Sequence, residues 1–398
     1  MIKIISSLIK KFHSASGKPR ELLSFYDRDT ATLGVGALPR SLRFEAAALI
    51  KDRTQGKVLD AVYLQSLPIA EGGRICVEEV LTHFLRLAQS FANNKPSPYK
   101  PWRIGLFIYP DTEFNASIKI SDEPRQNTIF IFFNVGVILQ LCNRFNSLLC
   151  NNEFLPKFAH NVEPSVASNS SMWLANVPTC ITRQKLATHL ALFGSMNVLF
   201  HELAHFYRGH LTYLRNSEWA LSELFEVEGF TEVSSLPFNE RRLLELDADQ
   251  FAGKLASNFW RQANHPTVGP KEDANENFYM LFVVAALITF LMMDDTIKTA
   301  RYYSPLWRLH QFMDYFDKDH FALEPGETKE SAQGKLLDLI MSIHAHIESS
   351  SEKVGLNGEF SYERFDIETA TLLGDDAKRY AEMAEKIAPF RPDTYSFS

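Results

Sequence analysis

Four cysteines in 398 residues are too few to suggest a covalent framework. Cys76, Cys142, Cys150 and Cys180 form no CxxC pair and keep no regular spacing. That argues against a disulfide scaffold and against a cysteine-ligated zinc module. Free thiols in a reducing compartment, and hence a cytoplasmic protein, are the expectation. Positive charge is also short: 41 Lys and Arg stand against 48 Asp and Glu, for a net charge of −7. No basic stripe stands out, so nucleic acid is not an expected partner. Long apolar runs are missing too. The most apolar window, "FYMLFVVAALITFLMM" (Phe278–Met293), falls short of the roughly 20 residues a membrane-spanning helix needs, and Asp294 and Asp295 flank it. It predicts a buried core helix in a soluble protein without a transmembrane segment. The N-terminal "MIKIISSLIKKFHS" is too broken for a secretory signal and predicts a short amphipathic helix able to touch a membrane surface. No phosphate-binding glycine loop, nucleophile elbow, internal repeat or low-complexity tract occurs.

Core-forming material is plentiful, at 45% hydrophobic residues. The segments suggest an α+β chain, mostly helical, in three parts: an N-terminal helical region over 1–100, a central domain over 101–320 and a C-terminal helical region over 321–398. "RICVEEVLTHFLRLAQSFA" (Arg74–Ala92) has helical spacing. "RIGLFIYP" (Arg103–Pro110) and "NTIFIFFN" (Asn127–Asn134) read as strands, and "VGVILQLCNRFNSLL" as the helix that follows. Residues 151–179 are polar and predict a long loop. A helix is expected from an N-cap at Thr182 to about Leu211, and another over Asn239–Trp260.

The chemistry lies in "NVLFHELAHFYRGHL" (197–211). On a helix each residue advances about 100°, so His201 and His205 sit one turn apart on one face, about 40° from each other. Two imidazoles there can reach one ion at about 2.0–2.1 Å. Glu202 lies beside the open side of the ion, placed to take a proton from water and pass it on. A catalytic zinc wants a third protein ligand. The metzincin spacing HExxHxxGxxH fails, because Gly209 and His210 stand at the wrong offsets; His210 reads as a helix-end residue near the negative pole of the dipole. The thermolysin-like offset nearly reaches Glu226, but Phe230 occupies the position of the expected aspartate. "LELDADQFAG" remains. Glu245 and Asp249 are one turn apart on one face, with Glu245 as the ligand and Asp249 as the acceptor that fixes a histidine tautomer. Asp247 is about 160° round the helix from Asp249 and is the weaker ligand candidate.

"HELAH" followed by "ELDADQFAGKLA" resembles the HExxH…ExxxD gluzincin metallopeptidases of the HtpX and CAAX-prenyl-protease type, over about residues 105–260. The resemblance implies a zincin-like core with a small sheet and an active-site helix, a bound Zn²⁺, and a peptide or protein substrate. It also implies that an edge strand in "FNASIKISDEPRQNTIFIFFN", around Asn115 and Ala116, holds the substrate backbone. The family's membrane helices are missing, and Ser304 stands before Pro305 where the family often has histidine. Tyr303, Arg308 and His310 are the candidates for stabilising an oxyanion. More weakly, the chain resembles the Lit-type phage-exclusion peptidases, which would imply a defence role against a host protein.

The sequence reading is thus a zinc endopeptidase with His201, His205 and Glu245 as ligands and Glu202 as general base. The second reading is a metal-binding regulatory or scaffold protein without turnover; Glu202 argues against it, since a structural zinc needs no base. Nothing in the sequence sets the oligomeric state.

Overall fold

The computed structural model describes residues 103–109, 111–121, 128–152, 154–156, 176–217, 238–262, 274–296, 303–320 and 375–391, the short segments 23–27, 32–36, 164–166, 223–225 and 340–343, and a few single positions besides. They form a mostly helical α+β structure around one small mixed sheet.

Strands β1 (Leu23–Asp27) and β2 (Thr32–Gly36) make a hairpin, and β2 pairs antiparallel with β3 (Arg103–Tyr109). The helical expectation for 1–100 therefore fails over these residues. Helical spacing was legible only in 74–92, which lies outside the described residues, as does the amphipathic N-terminal segment. Next come β4 (Ala116–Ile120) and β5 (Thr128–Asn134). β5 runs parallel to β3 and antiparallel to β4. Their alternation sends Ile104, Leu106, Ile108, Ile129, Ile131 and Phe133 into the main core. The intervening Phe107, Phe130 and Phe132 cluster on the other face, with Phe107 and Phe132 stacked at 5.6 Å. Both faces are buried, which suits the unbroken apolar run of β5.

β4 is not an edge strand. β8 (Glu223–Phe225) pairs with it from Ser117 to Lys119, so the sheet order is β1-β2-β3-β5-β4-β8. The expectation of an edge at this strand is corrected by a segment about 100 residues downstream, which no local pattern announces. The polar stretch 151–179 also holds structure: β6 (Pro164–Val166) and β7 (Asn176–Pro178) pair as a two-stranded ribbon.

The helices are α1 (Val135–Leu149), α2 (Ile181–Tyr207), α3 (His210–Asn216), α4 (Phe238–Gln262), α5 (Ala274–Thr296), α6 (Pro305–His320) and α7 (Asp375–Ile387). α2 is the central rod. Its first turn is tied down by Arg183, fully buried, whose guanidinium donates to the carbonyls of Leu149, Asn151 and Phe154 at 2.7–3.0 Å. These include carbonyls at and beyond the end of α1 that have no partner within that helix. The apolar window predicted as a core helix is α5, buried at every position from Leu281 to Met293. Among the described residues no helix is long and apolar enough to cross a membrane.

α4 and α6 approach almost backbone to backbone. A Cβ on Gly253 would lie 1.8 Å from the carbonyl oxygen of Phe312, so only glycine fits there. One turn earlier on both helices, Arg308 meets Asp249. The close approach thus sets where α6 delivers its arginine.

Candidate metal centre

α2 carries His201, Glu202 and His205; α4 carries Glu245, Asp247 and Asp249. All six are at most 3% exposed, on helices packed through apolar neighbours such as Leu199, Leu203, Leu244 and Ala248. Burial of so many ionisable groups is costly unless each is paired or shares a cation.

Three donor atoms converge. His201 Nε2 lies 3.0 Å from Glu245 Oε2 and 3.1 Å from His205 Nε2; His205 Nε2 lies 3.5 Å from Glu245 Oε2. A tetrahedral ion with ligands at about 2.0–2.1 Å separates its ligand atoms by about 3.3–3.4 Å. The triangle matches one face of such a tetrahedron, and His201, His205 and Glu245 form a buried group that could hold a metal ion.

The surroundings favour ligand geometry at His201. Its Nδ1 is 2.8 Å from Asp249 Oδ1. A carboxylate only accepts, so Nδ1 carries the proton and Nε2 turns a bare lone pair toward His205 and Glu245. Arg308 holds Asp249 in turn, donating from Nε to Oδ2 at 2.7 Å and from Nη2 to Oδ1 at 3.0 Å. Burial pushes the Glu245 carboxyl up, but the neighbouring His205 and His201 imidazoles outweigh it and hold it well below the usual range. Arg241, one turn before Glu245, adds its guanidinium 3.6 Å from Oε1.

The remaining sequence-predicted residues are placed as follows. Glu202 is 1% exposed and adjoins His201 in α2. Arg308 makes the two bonds to Asp249 given above. The Tyr303 hydroxyl donates to Asp376 Oδ2 at 3.0 Å, and its ring lies under the Arg242 guanidinium at 3.6 Å. His310 is exposed and stacks on Trp307 at 5.1 Å. None of these contacts joins Tyr303 or His310 to the triad. Ala116 pairs with Phe133 inside the sheet, and the Asn115 carbonyl accepts from the Asn134 amide. Glu226 lies outside the described residues.

His210 overturns its expected role. α2 stops at Tyr207, because Gly209 takes a left-handed φ of 80°, and His210 opens α3 instead of closing α2. The reversal carries His210 back under the site. Its Nδ1 is 2.9 Å from His205 Nδ1, and its Nε2 is 2.9 Å from Asp247 Oδ2. Arg208 clamps the same carboxylate at 2.6 and 2.7 Å, and the Tyr380 hydroxyl of α7 also donates to it. Asp247 is therefore no metal ligand but the hub of a second network. Burial alone would raise its carboxyl; the hydrogen bonds of His210 and Arg208 and the Arg208 charge together hold it low.

Burial lowers the His210 pKa to about 4, against the partial support of Asp247. The unfolded chain then takes up a proton at this site near pH 6.5, while the native state resists until about pH 4. Stability of the metal-free protein is expected to be full above pH 6.5 and to fall by up to about 3 kcal/mol on acidification to pH 4. Asp247 contributes in the same direction below that, since its stabilisation is lost once its unfolded-state value near 3.8 is passed. Urea midpoints measured with a chelator present would show this slope, and a flat profile from pH 6.5 to 4 would contradict it.

Comparison of the chain with protein-family models, curated proteins and solved structures finds no match in any of the three. What the site can do is therefore read from its own atoms.

Proposed function

We propose that this chain is a zinc-dependent endopeptidase with a zincin-like core, similar in its site to the gluzincins. The observation that carries this reading is the triangle of His201 Nε2, His205 Nε2 and Glu245 Oε2, with edges of 3.0–3.5 Å. Two imidazoles and a carboxylate suit zinc better than magnesium or calcium, which prefer oxygen alone. Three protein ligands leave a position open, as a catalytic rather than a structural centre requires.

When bound, the ion supplies Lewis acidity toward the scissile carbonyl and makes water more acidic. The chain's own residues do the rest. His201 and His205 would hold the ion through Nε2 and Glu245 through Oε2. Asp249, braced by Arg308, keeps His201 in the binding tautomer. Glu202 takes the proton from the attacking water and returns it to the leaving amine. Its neighbours Leu199, Leu203 and Phe206 are buried, which keeps bulk water from competing for that proton.

Protein N-termini compared between cells expressing the wild type and the Glu202→Gln variant test this. New N-termini dependent on Glu202 are expected, and their sequences would name the substrate. Identical sets of N-termini, with metal bound in both proteins, would favour the scaffold reading.

A further inference from the structure

We infer that His210 and Asp247 form a proton-ordering relay that fixes His205 as a metal ligand, so that His210 is a positioning residue of the centre. The inference rests on the metal-binding reading above and deepens it.

The argument follows one proton at a time. Asp247 accepts from Arg208 Nε, Arg208 Nη2 and the Tyr380 hydroxyl. It is thus the acceptor in every contact, and its Oδ2 faces His210 Nε2 at 2.9 Å. Nε2 must carry the proton there. A neutral imidazole has one, so His210 Nδ1 is bare and accepts. His205 Nδ1 lies 2.9 Å from it and must donate. His205 Nε2 is then bare in turn, and it faces His201 Nε2 and Glu245 Oε2 at 3.1 and 3.5 Å. The opposite assignment sets two lone pairs against each other at His210 Nε2 and Asp247 Oδ2, and puts a proton on the atom that faces the other ligands. The relay leaves three lone pairs pointing at one another, an arrangement that a cation resolves.

The two histidine ligands are thus ordered by different devices. Asp249 acts on His201 directly, and Asp247 acts on His205 through a third imidazole. Both carboxylates come from α4, two residues apart, on faces nearly opposed about the helix. One helix can serve both ligands only because the Gly209 reversal swings His210 into the gap on the far side. A Cβ on Gly209 would meet the Phe390 carbonyl at 2.6 Å, so the reversal is also enclosed by the chain's C-terminal segment.

Two measurements on the whole chain test this. In metal-free wild type, nitrogen-15 shifts of labelled histidines should show His205 as the Nδ1–H tautomer and His210 as the Nε2–H tautomer. His205 protonated at Nε2 would overturn the relay whether or not metal binds. The second measurement is zinc affinity by chelator competition. His210→Leu removes the acceptor and should weaken binding by about 10–100-fold. His210→Asn returns a carbonyl oxygen near the Nδ1 position and should recover most of that loss. Equal affinity in wild type and His210→Leu would reject the relay while leaving the metal site standing. No zinc binding by wild type would reject the metal reading itself, with the tautomers still deciding the relay.

Discussion

Glu202→Gln is expected to keep the metal and the fold and to lower peptide hydrolysis by about 10²–10⁴-fold. Glutamine matches glutamate in shape, so the packing around a side chain 1% exposed should survive. Glu202 is not one of the three converging donors, so metal content should not change. What is lost is the carboxylate that accepts a proton, and an amide cannot replace it. Metal content and turnover must be measured on the same preparation, using a peptide drawn from the cleavage sites found in cells. An unchanged rate would remove Glu202 from the mechanism, whereas loss of metal together with rate would reassign it as a ligand.

Glu245→Ala is expected to reduce bound zinc from about one ion per chain to nearly none at micromolar concentrations. The remaining imidazoles stand 3.1 Å apart at Nε2 and make a two-ligand site at most. The consequence for stability is indirect. A ligand present at a thousandfold excess over its dissociation constant adds about 4 kcal/mol to the native state. The wild type should therefore melt at a higher temperature with zinc than with chelator, and Glu245→Ala should melt at one temperature in both. In the variant, Arg241 loses a carboxylate 3.6 Å away, so its metal-free stability should also drop modestly. A zinc-dependent shift of wild-type size in Glu245→Ala would mean that another residue completes the site.

The two helices that build this centre were legible because the signals are local. HExxH and ExxxD each repeat at one helical turn, and apolar neighbours extend both helices well beyond the motif. The strands β3 and β5 announced themselves by β-branched and aromatic runs. The parts that were not legible depend on distant pairing. The ribbon β6–β7 and the strand β8 span three residues each, too short for a period to register. The hairpin β1–β2 is read only once β3 accepts it.

His210 is the instructive miss. Five residues beyond His205 on an unbroken helix, it would stand about 140° away and face elsewhere. The available signal was Gly209, a residue that commonly ends helices by turning left-handed. Reading it as a stop ends α2 about four residues earlier, at Tyr207, and frees His210 to return. On sequence Asp247 is the weaker ligand candidate because it points away from Asp249. That geometry holds, and it is the reason Asp247 meets His210 instead. The bond of Arg308 to Asp249 depends on the contact of α6 with α4 at Gly253, a tertiary fact absent from local pattern.

X-ray absorption at the zinc edge, on the wild-type chain loaded with one equivalent of zinc, tests the central claim most directly. The account predicts a tetrahedral shell of light atoms at about 2.0–2.1 Å. Two of these should show imidazole scattering and no sulfur should appear, and the two-imidazole signal should persist in Glu202→Gln. A shell with sulfur, with one imidazole or none, or no stoichiometric zinc at all would contradict it.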